Sequence, residues 1–269
     1  MRPNSQPGLL AGKVLVVIGG TTGIGLSATR AFVEAGARLV AIGLDPQSAA
    51  AVEQELGGGV RAICADATQP GVAERAIDEA IHAWGGFHGL YHVAGGSGRK
   101  FGDGPLHELS DDGWHKTLEL NLASVMYSNR AAARRFLAQE TGGSILNAGS
   151  VLANSPSPRF FATHAYATAK AAIEGFTKSC AAYYARSNIR FNVLAPGLVA
   201  TPMAARAQTD AEILNYVRSK QPLDGGRIGK PEDLDAAAVY FMSDASCFVT
   251  GQVLSVDGGW SVTEAGAQG

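Results

Sequence analysis

Apolar positions along the chain fall into two alternating patterns. Short, unbroken aliphatic and β-branched runs occupy 13–18, 38–42, 60–64, 90–94, 144–148, 189–194 and 253–256. Such runs suit strands buried on both faces of a parallel sheet. Between them, apolar residues recur at helical spacing. Leu26, Thr29, Phe32 and Val33 mark one helix that stops at Gly36, a natural C-terminal cap. Further helices are expected from about 70 to 84, from a Ser110 cap to about 139, behind Tyr166, between 202 and 222, and after Pro231, where proline and then acidic residues open the first turn. Strand and helix in alternation predict an α/β fold, one large sheet flanked by helices. The first ten residues, with two prolines, are expected to form a flexible arm, 11–262 a single domain, and 263–269 a tail.

Composition narrows what such a domain can do. Of 269 residues, 46% are hydrophobic and 17% charged, enough apolar material for a core, with no signature of disorder. The net charge of −2 offers no electrostatic footprint for nucleic acid or an anionic membrane, so partners are expected to be small molecules or copies of the chain. No apolar run is long enough to cross a bilayer, and the N-terminus has no apolar signal segment. Cys64, Cys180 and Cys247 are scattered, odd in number and not spaced as metal ligands. His88 and His92, four apart on a strand, share a face at long reach and do not suggest a metal either. A reducing, cytoplasmic location is expected.

Two stretches carry chemistry. Gly19-Gly20-Thr21-Thr22-Gly23-Ile24-Gly25 falls between a buried strand and a helix N-terminus. Glycines allow a tight turn and let a diphosphate approach the backbone, where free N–H groups and the helix dipole attract negative charge. The bland alternative is a plain strand-to-helix turn. The second stretch is Tyr166-Ala-Thr-Ala-Lys170. Residues four apart on a helix stack on one face. A free phenol has a pKa of about 10, and a neighbouring ammonium favours the phenolate, so a tuned Tyr166 can exchange a proton with an alcohol oxygen. In isolation the pair would suit a half-buried helix tyrosine beside a solvated lysine.

Taken together, Gly19-x-x-x-Gly23-x-Gly25 and Tyr166-x-x-x-Lys170 resemble the short-chain dehydrogenase/reductase family, over about 13–260. The resemblance implies a Rossmann-type doubly wound parallel sheet of about seven strands, flanked by helices on both faces. It implies an NAD(P)-dependent oxidoreductase that interconverts a secondary alcohol and a ketone and, by analogy, a homotetramer. Tyr166 would be the acid/base, with Lys170 beside it and on the nicotinamide ribose, and Ser150 on the substrate oxygen. Asn121, polar among Leu118, Leu120, Leu122 and Val125, would bind a water linking Lys170 to solvent. Ser150 precedes Tyr166 by sixteen residues, longer than is usual in the family, because Asn154-Ser-Pro-Ser-Pro-Arg159 extends the loop. Asn154 and Ser155 are the alternatives to Ser150.

The cofactor would meet Gly19, Thr21, Thr22, Gly23, Ile24 and Gly25 in the first turn, and Leu44 and Asp45 after the second strand. Asp66 and Ala67 would follow the third strand, with Ala94 and Gly95 after the fourth. Pro196, Gly197, Val199 and Thr201 would support the nicotinamide, besides Tyr166 and Lys170. The chain departs from the family in several places: Ile18 replaces a Thr, and His92-Val93-Ala94-Gly95 replaces Asn-Asn-Ala-Gly. Gly43 and Leu44 hold neither the acid that would bind a ribose hydroxyl nor the arginine that would bind a 2′-phosphate. Asp45, before Pro46, suits either a ribose contact or a helix cap, and Asp66 either an adenine contact or a cap for the next helix. With no cation at Thr22 or Leu44, NAD is favoured over NADP.

The loop 96–105, with Arg99, Lys100 and Asp103, is either a wall of the substrate site or a surface loop, and 202–222 reads as a lid. Phe160, Phe161, Met203 and Tyr216 hint at an apolar or ring-bearing substrate, with His164 also facing it. Arg99, Lys100 and Arg159 leave room for an acidic one. The alternative to an enzyme is a catalytically silent dinucleotide-binding sensor or scaffold, to which the lost amides and the long Ser150–Tyr166 loop point.

Overall fold

The computed structural model describes residues 8–264. Its seven strands are β1 (Val14–Ile18), β2 (Arg38–Gly43), β3 (Val60–Cys64), β4 (Gly89–His92), β5 (Gly143–Ala148), β6 (Ile189–Pro196) and β7 (Val253–Val256). All pair in parallel, in the order β3-β2-β1-β4-β5-β6-β7. The helices are α1 (Gly23–Glu34), α2 (Pro46–Leu56), α3 (Val72–Trp84), α4 (Asp111–Leu118), α5 (Ser124–Gln139), α6 (Pro158–Phe161), α7 (His164–Tyr184), α8 (Ala205–Thr209), α9 (Ala211–Lys220) and α10 (Asp235–Met242). Among the described residues no helix is long and apolar enough to cross a membrane.

The unbroken apolar runs follow from burial on both faces. Successive side chains on a strand point to opposite sides. Val14, Val16 and Ile18 of β1 therefore join one core with Ala76, Ile77, Ala132 and Phe136 of α3 and α5. Leu15 and Val17 join the other, with Ala28 and Phe32 of α1 and Ala238 and Phe241 of α10. The sheet reverses direction of growth between β1 and β4, and the loops after those two strands leave from the same end. That is the crevice where open α/β sheets bind ligands.

Four boundaries differ from the sequence pattern. β4 stops at His92, two residues early, because the N–H groups of Val93 and Ala94 both bond the Ile18 carbonyl at 2.8 Å and turn the chain across the end of β1. The segment after Ser110, whose hydroxyl accepts from the Gly113 N–H at 3.0 Å, is broken by a π turn at Glu119–Ala123, where Ser124 N reaches back to Glu119 O. At the start, most of the expected arm lies outside the described residues, but Leu10 is fully buried and its N–H bonds Ala35 O at 2.9 Å. At the other end Thr263, expected in the tail, exchanges hydrogen bonds with Lys220, and the tail beyond 264 lies outside the described residues.

α10 meets α1 through an acid. The Ser27 hydroxyl donates to Asp235 Oδ2 at 2.7 Å, while Asp235 Oδ1 is buried without a partner among the described residues. Burial pushes the Asp235 carboxyl up to about 6, against the Ser27 hydrogen bond that lowers it. An acid whose pKa is raised by folding holds its proton more tightly in the folded state, so stability falls as pH rises from about 4 through 6 and stays low above. Asp235→Asn is expected to remove that fall and to raise stability at pH 8 by about 1 kcal/mol, discounting the shift for partial solvent exposure. Urea unfolding at pH 5 and pH 8 measures it; an unchanged difference between the two pH values refutes it.

Candidate active site

β1 delivers the glycine turn directly onto α1. Gly19 N and Gly20 N bond the Ile42 carbonyl at 2.9 and 2.8 Å, and the buried Thr29 hydroxyl bonds Gly20 O at 3.0 Å, so the turn is ordered although Ile18 brings no hydroxyl. A Cβ at Gly25 would stand 1.8 Å from Gly19 O, so only glycine lets the helix start so close to the turn. Opposite this turn, a Cβ at Gly23 would lie 3.3 Å from Thr201 Cγ2. The glycine turn and the Thr201-Pro202 turn thus face each other, as two sides of one cradle.

The second side is anchored from behind. Gly197 N bonds Val256 O at 3.1 Å, Val199 bridges to Gly229, and buried Gln221, at the end of α9, accepts from Leu198 N at 2.5 Å. Gln221 is a residue the sequence gives no reason to select. Thr201 Oγ1 donates to Val199 O at 3.5 Å.

Ser150, Tyr166, Lys170 and Asn121 come together at the carboxyl ends of β4 and β5. Ser150 follows β5; its Oγ accepts from Leu152 N at 3.2 Å, and it lies near enough to the Tyr166 phenol to lower that group's pKa. The stretched loop therefore still sets Ser150 beside the phenol. Asn154 instead donates to both oxygens of Glu174 at 2.8 Å, and Ser155 gives its carbonyl to Trp260 Nε1, so neither alternative enters the site. Lys170 is 4% exposed, with Nζ donating to Ala148 O at 2.8 Å and 5.6 Å from the centre of the Tyr166 ring.

The electrostatics correct one expectation. Burial raises the phenol of Tyr166 above its ordinary 10, and the opposing effect is the Ser150 hydrogen bond, not the Lys170 charge. Lys170 is itself pushed down to about 8 by burial, which disfavours its charged form.

Asn121 lies in the π turn, the kind of helix defect often found at functional sites. Its amide is engaged with backbone. Its Oδ1 accepts from Gly96 N at 3.0 Å, and Nδ2 donates to Gly96 O and Thr117 O, both at 2.9 Å. A Cβ at Gly95 would lie 2.7 Å from that Oδ1 and 3.6 Å from Lys170 Nζ, so Gly95, Asn121 and Lys170 border one volume. Ala94 is held beside it by His92, which replaces an amide. The fully buried ring contacts the Ser128 hydroxyl at 2.7 Å, Ala94 O at 3.1 Å and Ser124 Oγ at 3.3 Å. Burial, then the Lys170 charge, lowers His92 to about 3, so it is neutral.

At the far end of the cradle, the position of the family's acid is closed: a Cβ at Gly43 would stand 2.0 Å from Thr21 Oγ1. Leu44 is exposed. Asp45 caps α2, its Oδ2 accepting from Ser48 N at 2.8 Å. Asp66 accepts from Thr68 N and Oγ1, a local turn; it is not the cap of α3, which starts after Gly71. Ala67 follows it.

Two further expectations change. Phe160 packs on Tyr216 (5.1 Å between ring centres) and Phe161 on Trp260 (5.8 Å), forming a cluster with Val151, Ile213 and Val217 that joins the insertion to the lid. His164 pairs its Nδ1 with Gly104 O at 2.9 Å. The acid that the sequence under-read is Asp103, buried in the loop after β4 and bonded to the first turn of α7.

A family model described as Enoyl-(Acyl carrier protein) reductase matches residues 19–261. The chain is 34% identical over 256 residues to 3beta-hydroxysteroid dehydrogenase 2 of Eggerthella lenta, covering 94% of this chain and 96% of that protein. A short-chain type dehydrogenase/reductase from Mycobacterium ulcerans superposes with a TM-score of 0.86 at 32% identity, over 95% of this chain and 92% of that one. A gluconate 5-dehydrogenase from Burkholderia cenocepacia, in complex with NADP and tartrate, gives 0.85 at 31% identity, over 94% and 96%.

Because the Asn121 amide carries three bonds to backbone, Asn121→Ala is expected to cost about 2 kcal/mol of stability through unpaired backbone groups. Urea titration measures it, and a loss below a few tenths of a kcal/mol contradicts the geometry.

Proposed function

Because the chain belongs to the short-chain dehydrogenase/reductase family, and is thus an NAD(P)-dependent oxidoreductase of secondary alcohols and ketones, we propose that it uses NAD, takes an apolar ring-bearing substrate, and passes the proton through Tyr166. The observation that carries this is the grouping of Ser150, Tyr166 and Lys170 beside Gly95, at the mouth of the glycine cradle. The relatives named above are all dehydrogenases, which leaves a silent scaffold without support.

When bound, the nicotinamide gives or takes the hydride. Gly19, Thr21, Thr22, Gly23, Ile24 and Gly25 would hold the diphosphate at the α1 N-terminus, and Pro196, Gly197, Val199 and Thr201 the nicotinamide end. Asp66 and Ala67 would border the adenine, and Ala94 and Gly95 would leave room between the two ends. Lys170 would hold the ribose and keep a positive charge beside the phenol. In ketone reduction Tyr166 gives its proton to the oxygen as negative charge grows there, and in oxidation it takes that proton back. A phenol held above 10 keeps its proton at neutral pH, which suits the acid role. The Ser150 hydroxyl donates to the same oxygen. Asn121 fixes Gly96, and with it the backbone that borders Lys170.

Cofactor choice follows from charge. Asp45 spends one carboxylate oxygen on its cap, leaving the other able to accept from a ribose hydroxyl, and its charge repels a 2′-phosphate. Leu44 offers no cation in compensation.

Substrate class follows from what the cations do. Arg99 and Arg206 both donate to Phe160 O, Arg159 pairs with Glu212, and Lys100 lies over the Phe101 ring. What remains to offer an apolar wall are the partly buried rings of Phe160 and Tyr216, packed on the buried Trp260. Exposed Phe248 and Leu254, beside the free edge of β7, support self-assembly of the expected homotetramer, and three free cysteines fit the reducing cytoplasm.

Tyr166→Phe is expected to lower kcat at least 1,000-fold, and Ser150→Ala about 100-fold, with NAD affinity within twofold of the parent. Absorbance of reduced nicotinamide over alicyclic alcohols and aldonic acids reads both; parental turnover by Tyr166→Phe, or faster turnover of the acids, would sink the corresponding part of the reading. For the cofactor, kcat/KM with NAD should exceed that with NADP at least tenfold, and Leu44→Arg combined with Asp45→Ser should narrow the ratio. An equal ratio in the parent rejects the preference.

A further inference from the structure

The helix that carries Tyr166 begins without a cap of its own. A helix leaves its first N–H groups without intrahelical partners, and a Ser, Thr, Asp or Asn just ahead usually supplies one. Thr163 stands in that place, yet its hydroxyl bonds Phe161 O at 3.4 Å and caps nothing. The donors are instead met from sixty residues away. Asp103 Oδ1 accepts from Ala165 N and Oδ2 from Tyr166 N, both at 3.0 Å. Gly104 O accepts from His164 Nδ1 at 2.9 Å and from its N–H at 3.5 Å.

Asp103 is 5% exposed, and the chain is shaped to bring it there. Its own N–H bonds Gly98 O at 3.1 Å, and a Cβ at Gly98 would stand 1.7 Å from Thr117 Oγ1 and 2.8 Å from Asp103 Cβ. The loop is thereby pressed against α4, and its start at Gly96 is clamped by Asn121. A buried carboxylate with two backbone donors at a helix N-terminus is held by charge-assisted bonds and by the dipole.

We propose that Asp103 is the positioning residue of the acid/base tyrosine: it binds the Tyr166 backbone in trans and sets the phenol in register with the Gly95–Gly96 backbone on the cofactor side. The loop 96–105 is then neither a plain surface loop nor only a substrate wall. Its buried acid couples the two halves of the site. A displacement of about 1 Å in a proton-transfer group is enough to cost much of its rate.

This inference rests on the Tyr166 reading, so Tyr166→Phe is measured beside Asp103→Ala and Asp103→Asn in the full-length protein. The expected result is a kcat lowered 10- to 100-fold in Asp103→Ala, with KM for alcohol and the dissociation constant for NAD each within threefold of the parent. Asp103→Asn, which keeps the volume and one strong acceptor, should recover at least half of that loss on a logarithmic scale. Parental kcat in folded Asp103→Ala overturns the proposal, as does a loss confined to KM or to NAD affinity. Where Asp103→Ala does not fold, Asp103→Asn decides: a kcat at least threefold low with unchanged NAD affinity supports it, and parental kcat overturns it. An inactive Tyr166→Phe with parental Asp103 variants defeats this inference alone; an active Tyr166→Phe defeats the function reading and this inference with it.

Discussion

An ammonium group withdrawn from water, with a backbone carbonyl as its partner, sets the terms for the catalytic end of the molecule. Lys170 donates to Ala148 O, and no acidic side chain pairs with it among the described residues. Burying a charge on these terms costs several kcal/mol, and the depressed pKa is that cost expressed as easier loss of the proton. The arrangement requires that the end of β5 not move. It is held by a reciprocal amide pair, Asn147 with Asn129 at 2.8 and 2.9 Å, and by Asn147 with Thr177 at 3.1 Å, all fully or nearly fully buried. These bonds tie β5 to α5 on one side and to α7, which carries Lys170, on the other.

The same charge explains what the chain does at His92. A side chain placed beside a buried ammonium should add hydrogen bonds without adding a second positive charge. The imidazole is neutral at any pH at which the enzyme would work, and both ring nitrogens have partners. An aromatic ring thus replaces a shorter amide, and Ser128 and Ser124 are there to receive it. The change looks like a lost function in the sequence, whereas in three dimensions the turn at Ala94 keeps its bond.

The Asp45 cap comes from a short local segment, whereas the glycine turn leans on Ile42 and the Val199 turn on Gly229, Val256 and Gln221. The proton side is assembled from β4, β5, the π turn, the insertion and α7, and three of its bonds span twenty-two, twenty-five and sixty-three residues. Closing such loops is entropically costly, so each long-range bond must be supported by packing around it.

The strands, their parallel arrangement and the two motifs were legible in the sequence because they are local: a run buried on both faces is apolar at every position, and a spacing of four defines one side of a helix. Ser150 could be named, but the stretched loop left its register open, and its nearness to the phenol is a matter of tertiary structure. What only the tertiary structure decided was who satisfies whom. Thr163 has the right side chain and place to cap α7 and does not, while Asp103 does; Asn121 turns to Gly96, and burial outweighs Ser150 in setting the phenol. Periodicity and motif depend on neighbours along the chain. Hydrogen-bond partners and desolvation depend on neighbours in space, which no local pattern encodes.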